Sequence, residues 1–196
     1  MAEIIDQTLT FRLIKERIAR TSNPRHLLML RRLLQHAEGE ANADLEAVMS
    51  TLSPEPRYHT YGVRPAMSPQ GRDAVRRFYV EAVFGAGLHF FQFDVDRIVV
   101  DDHTIVTEGD FATLLWGRDA KQTGYPVDDE EAFYLIRLRM MLVWPFDADC
   151  LILGEDSYSA VTRQDFMEKV EESRLPAKYR EYVERRRASG STAENS

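Results

Sequence analysis

An α+β domain, with helices first and a curved antiparallel sheet wrapped around them, is the fold class this sequence predicts. Three observations carry it. The first half holds amphipathic helical stripes separated by Pro-containing breaks, and the stretch from Leu88 to Ser159 is almost entirely strand-like. Helical signals then return after Ser159. A sheet that curves over helices lying on one side closes a cone with an internal pocket.

The elements follow in order. From Gln7 to Arg20, Leu9, Leu13, Ile14 and Ile18 recur at helical spacing. Ser22-Asn23-Pro24 stops that helix and starts another, with Pro24 at the first helical position. Leu27, Leu30, Leu34 and Ala37 form the expected buried face of the second helix, and Gly39 its expected end. Asn42 is the expected cap of a third, short helix with Leu45, Val48, Met49 and Leu52 inward, where Asp44 and Glu46 complement the helix dipole. Ser53-Pro54-Glu55-Pro56 ends it. Arg57 to Tyr61 alternates as a short strand, Arg64 to Gln70 reads as a Pro-rich loop, and Gly71 to Phe84 as an amphipathic helix.

Four antiparallel strands follow. Phe90 to Val100 turns at Asp101-Asp102-His103 and returns as Thr104 to Trp116. Gly117 to Asp129 is a polar hairpin loop, and Ala132 to Trp144 pairs with Cys150 to Ser159. Thr162 with Asp165 resembles a capping box and predicts a closing helix, with a second opened by Pro176. The expected organisation is an N-terminal helical extension (1–23), one domain (24–162), a C-terminal helical extension (163–187) and a disordered tail (188–196).

Composition narrows the function classes. A net charge of -7 argues against a nucleic-acid partner, because phosphate binding needs clustered Lys and Arg. The single cysteine, Cys150, allows no intrachain disulfide and no Cys-rich zinc site. No run of apolar residues approaches the roughly 18 needed to span a membrane, and Met-Ala-Glu-Ile-Ile-Asp lacks the features of a signal peptide. A cytoplasmic protein with no membrane partner is expected. No His, Asp or Glu cluster has metal-ligand spacing and no nucleotide motif is visible, so neither metal nor cofactor is expected.

Four segments, in order, resemble the nuclear transport factor 2-like superfamily and, within it, the SnoaL-like group. They are Ala43-Asp-Leu-Glu-Ala-Val-Met leading into Arg57-Tyr-His, Gly71-Arg-Asp-Ala-Val-Arg-Arg-Phe-Tyr, Arg97-Ile-Val-Val-Asp-Asp, and Gly154-Glu-Asp-Ser-Tyr. The resemblance runs from about Leu27 to Ser159. It implies a small hydrophobic, oxygenated ligand and cofactor-independent acid–base chemistry of cyclase, isomerase, dehydratase or hydrolase type. A non-catalytic binding or interaction module of the same fold is the alternative.

Carried over residue by residue, Asp156 matches the last-strand catalytic carboxylate, with Glu155 expected on the opposite face by the two-residue strand period. Tyr58 and Thr60 match the first-strand Tyr-x-Asn of the epoxide hydrolases, with Thr60 in place of the amide. Tyr58 is the expected hydrogen-bond donor to a developing oxyanion, Thr60 its support. Gly109 and Phe111 stand where those hydrolases have Arg-x-Asp, and a threonine replaces the isomerase base, so neither reaction is favoured. Tyr134, Trp116, Met140 and Phe90 are expected pocket walls. His59 is expected to face away from Tyr58 and Thr60. Phe133 and Leu135, beside Arg137 and Arg139, predict an outward strand face that forms a homodimer.

Overall fold

The computed structural model describes residues 4–62 and 68–193, so most of the loop read at Arg64 to Gln70 lies outside the described residues. Helices α1 (Thr8–Ala19), α2 (Pro24–Ala41) and α3 (Leu45–Ser50) lead into strand β1 (Leu52–Tyr61). Helix α4 (Arg72–Phe78) passes directly into a π-helix (Tyr79–Phe84). Strands β2 (Phe91–Val100) and β3 (Thr104–Trp116) follow, then helix α5 (Gly117–Gln122), β4 (Phe133–Pro145), β5 (Ile152–Ala160), β6 (Met167–Val170) and helix α6 (Ala177–Ala193). Among the described residues no helix is long and apolar enough to cross a membrane.

The sheet order is β1-β5-β4-β3-β2, with β2 to β5 a run of antiparallel neighbours and β1 parallel to β5. This is the α+β architecture expected. The N-terminal helices fill the concave side, where Met29, Leu30, Leu33, Val48 and Met49 pack on Tyr58, Val75, Ile105 and Ile152.

The start of α2 falls where expected, whereas the end of α2 and the cap of α3 are shifted. Asn23 caps α2, accepting from the backbone of Arg25 and His26, with Pro24 at the start. The helix then runs through Gly39 to Ala41, because Gly39 is buried against Ala47 and Val48 of α3 and so serves close packing. Asp44, not Asn42, caps α3, accepting from the Ala47 amide. The buried face of α2 is Met29, Leu30, Leu33, His36 and Gly39, rotated from the expected Leu27, Leu34 and Ala37.

The closing helix expected at Thr162 is instead strand β6. Strand β4 is 13 residues long, and β5 pairs only with its Arg139–Val143 half. The backbone groups of Phe133 to Ile136 on that edge need partners, and Met167–Val170 supplies them. Thr162 lines a surface cleft, and Asp165 bonds Arg163. Part of the expected polar loop after Gly117 folds as α5. Helix α6 extends to Ala193, through six of the nine residues expected as a tail.

Helix α6 lies across the outer sheet face. Tyr179, Tyr182 and Val183 pack on Leu114, Trp116, Phe133 and Leu135. The apolar strand residues read as a dimer surface are therefore covered by the chain itself. Arg137 and Arg139 do face outward, and Arg139 pairs with Asp96 and Glu108.

Candidate active site

Between the helices and the concave sheet face lies a cavity of about 100 Å³. Its walls are Phe91, Phe93 and Phe111 from β2 and β3, Met140, Leu142 and Trp144 from β4, and Phe78, Tyr79 and Val83 from α4 and the π-helix. Its polar lining is Glu40 from α2, Thr60 from β1, and Glu155 and Ser157 from β5. The π-helix widens one turn by a residue, with the Gly85 amide donating to the Val80 carbonyl; such turns recur at functional sites.

Glu155 occupies the place expected for Asp156. Ile152 is buried and Leu153 exposed, so strict alternation from them would put Asp156 inside. The period slips at Gly154. There a side-chain carbon would lie 1.7 Å from the Arg57 carbonyl oxygen, and β1 gains residues against β5 between Leu52 and Arg57. Beyond the slip, Tyr58 pairs with Glu155 and Thr60 with Ser157 on the inner face, while His59 pairs with Asp156 on the outer. Asp156 Oδ1 sits 2.7 Å from His59 Nδ1, both about one-third exposed. His59 thus faces away from the cavity, as expected.

Burial raises the Glu40 carboxyl from 4.5 to about 7, because the apolar walls penalise its charge. Behind the cavity a buried chain of hydrogen bonds runs through Tyr58, Tyr79, His36 and Thr51. Its proton order follows from its end. Thr51 Oγ1 donates to the Val48 carbonyl at 2.6 Å, so it accepts from His36 Nδ1–H at 2.8 Å. His36 Nε2 then accepts from the Tyr79 hydroxyl at 3.0 Å, and the Tyr79 oxygen accepts from the Tyr58 hydroxyl at 3.0 Å. Burial lowers His36 to about 4, which keeps the imidazole neutral and able to accept. Burial also raises both phenols well above 10, and negative charge on Glu40 and Glu155 raises them further.

Of the residues expected at the site, Thr60 and Met140 line the cavity. Tyr58 sits behind Tyr79, and its proton is committed to that neighbour, so it is not placed as an oxyanion donor. Tyr134 is on the concave side but in an adjoining cluster, where its hydroxyl donates to Asp128. Trp116 is under α6, stacked with Phe133. Phe90 belongs to a separate groove with Ile5 and Leu114, its ring 4.9 Å from Tyr179. Gly109 carries no side chain for a steric reason, since one would lie 2.2 Å from the Asp94 carbonyl oxygen.

The sequence reading missed Glu40, His36 and Tyr79, and placed Glu155 on the wrong face. Glu40 and His36 share a signal. With the α2 stripe set at Met29, Leu30 and Leu33, His36 falls on the core face and Glu40 one turn beyond it. Two ionisable residues on a buried stripe are a site candidate.

A family model described as the SnoaL-like domain matches residues 31–152. The chain belongs to the SnoaL-like family. The match takes in Glu40, Tyr58, Tyr79, Phe111 and Met140 and stops three residues short of Glu155. No curated protein matches the sequence. Solved structures similar to this SnoaL-like chain include a protein of Shewanella putrefaciens assigned as a SnoaL-like polyketide cyclase (9% identity, 81% of this chain and 91% of that one, TM-score 0.55). A protein of Jannaschia with the same assignment gives 10% identity, 71% and 90% coverage and a TM-score of 0.54. A nuclear transport factor 2-like protein of Anabaena variabilis gives 15% identity, 72% and 94% coverage and a TM-score of 0.51. At these identities the likeness establishes the fold alone.

Proposed function

We propose that the cavity binds a small, largely apolar molecule and that Glu40 exchanges a proton with it, making this SnoaL-like protein a cofactor-independent acid–base enzyme. The observation that carries the reading is the Glu40 carboxyl, held near neutrality inside an aromatic cavity where it can both give and take a proton at working pH. Glu155 and Thr60 orient the reacting group, and Met140 with the phenylalanines excludes water. The His36 chain positions Tyr79 without joining the proton transfer, since it ends on the Val48 carbonyl.

Carbon-13 NMR of the glutamate carboxyls tests this. An apparent pKa near 7 for Glu40, moving when a ligand occupies the cavity, is the expected result. An ordinary carboxylate value would remove the physical basis of the acid–base role.

A second reading, a binding module without chemistry, is favoured by the inward commitment of the Tyr58 proton and the outward turn of Asp156. It predicts that ligand is bound and released unchanged.

We further propose a homodimer, now on the part of the outer face that α6 leaves open. Tyr61 and Tyr158 stack there at 4.9 Å while 46% and 42% exposed. Light scattering should give twice the 22.6 kDa chain mass, and a monomer would sink the idea.

A further inference from the structure

We propose that α6 is a strap that regulates the cavity. Docked on the outer face, it holds three wall residues, Val83, Leu88 and Tyr125, where a ligand meets them. Released, it lets that wall loosen and the affinity fall. The inference rests on the reading of the cavity as the ligand site and adds a control on it.

The three residues share a weakness. Val83 belongs to the π-helix, Leu88 to the turn that follows it, and Tyr125 to the loop after α5. None of them lies in a strand of the sheet, so their position depends on what packs behind them.

Tyr182 of α6 reaches both segments from behind. Its hydroxyl lies 2.9 Å from the Gly85 carbonyl oxygen, just past Val83, and 3.0 Å from Asp119 Oδ2 in α5, the helix that leads to Tyr125. Its ring lies against Gly87, where a side-chain carbon would come within 3.0 Å of it. The same ring meets that of His89 edge-on, with centroids 6.1 Å apart. Leu88 is thus flanked on both sides by residues that Tyr182 touches. Arg186, one turn further along α6, bonds Asp119 Oδ1 at 2.6 Å.

Helix α6 is also suited to release. Of Ala177 to Ala188, only Tyr179, Tyr182 and Val183 are buried, a stripe one turn wide, and the helix supplies no strand to the sheet. An element held by so few apolar contacts opens at lower free energy than the core. The coupling runs both ways. A ligand that braces Val83, Leu88 and Tyr125 favours docked α6, and docked α6 favours the ligand by the same factor.

Hydrogen exchange of the full chain, read by mass spectrometry with and without isobutanol, tests the proposal. A four-carbon probe suits a cavity of about 100 Å³, smaller than the roughly 150 Å³ that holds benzene in an engineered protein. Isobutanol should slow exchange in Val83–Leu88, in the loop around Tyr125 and, away from the cavity, about 5-fold or more in α6. Tyr182→Phe keeps the ring and deletes the hydroxyl. It should weaken isobutanol about 5-fold or more in isothermal titration and lose the slowing in α6. Val183→Ala, which loosens α6 through its apolar stripe alone, should weaken the probe in the same direction. Equal affinity in the parent and both variants would overturn the strap and leave the cavity as a ligand site. Exchange in α6 that is indifferent to the probe would do the same, even with a weaker Tyr182→Phe, because the hydroxyl would then merely shape the wall. No saturable binding of isobutanol down to affinities of about 10 mM would overturn both readings.

Discussion

Glu40 carries an electrostatic cost in the cavity, and its sign is open to measurement. Burial raises its pKa from 4.5 to about 7, so the folded state holds the proton more tightly than the unfolded chain. The stability that comes with the protonated form is fully present below 4.5, declines as the pH rises, and is lost once the pH has passed about 7. Glu40→Gln should therefore melt higher than the parent at pH 8, and the gap should close towards pH 4.5. A Gln variant that melts lower at pH 8 would mean that the ionised carboxylate is well paired. The tyrosine chain makes an ordered prediction. Tyr79→Phe strands both the Tyr58 hydroxyl and His36 Nε2 and should cost about 1–3 kcal/mol in denaturant unfolding. Tyr58→Phe removes only the first donor and should cost less. Asp156→Asn, on the outer pair with His59 that is about one-third exposed, should change stability by less than about 1 kcal/mol and leave ligand binding untouched.

At the scale of elements, the strand boundaries and the cap of α2 were legible because each depends on neighbours in sequence. Thr104–Trp116 matches the expected strand to the residue, and Asn23-Pro24 opens α2 as its chemistry requires. What local pattern could not supply was phase. The face of α2 turns on where Gly39 nests against α3, and the face of β5 on the slip at Gly154. Both are settled by a second element far away in the chain. A one-residue slip exchanges every side chain between faces, which is how Asp156 and Glu155 traded places. Thr162 and Asp165 show the same limit, since a local helix signal lost to the unpaired edge of β4. Gly154→Ala tests the slip directly. Its new carbon would meet the Arg57 carbonyl oxygen at 1.7 Å, with backbone on both sides and no flexible side chain to yield. A loss of more than about 3 kcal/mol is expected from the displaced strand, together with loss of cavity binding.

At the scale of the molecule, α6 ties the outer layer to the cavity. Its Arg186 reaches Asp119 of α5 at 2.6 Å, and Tyr182 bonds both Asp119 and the Gly85 carbonyl at the end of the π-helix. The Asp119 side chain is fully buried, and burial outweighs its partners in raising its pKa. Asp119→Ala removes one acceptor each from Arg186 and Tyr182 and should lower stability by about 3 kcal/mol, read from thermal unfolding. It should also loosen α6 and bare Trp116, Phe133 and Leu135, seen as increased binding of a hydrophobic dye.

The wide turn from Tyr79 to Phe84 has a consequence for the length of this chain. A π-turn holds one residue more than the α-helix it interrupts, so deleting one residue there need not break the helix. Loss of the exposed Glu81 would let α4 continue in ordinary α geometry and gain a tighter hydrogen-bond ladder. The wide turn absorbs its extra residue locally, so the segment beyond the deletion would keep close to its present facing, with the Gly85 carbonyl still towards Tyr182. The spare residue therefore costs this segment helical regularity without setting the direction in which the chain continues.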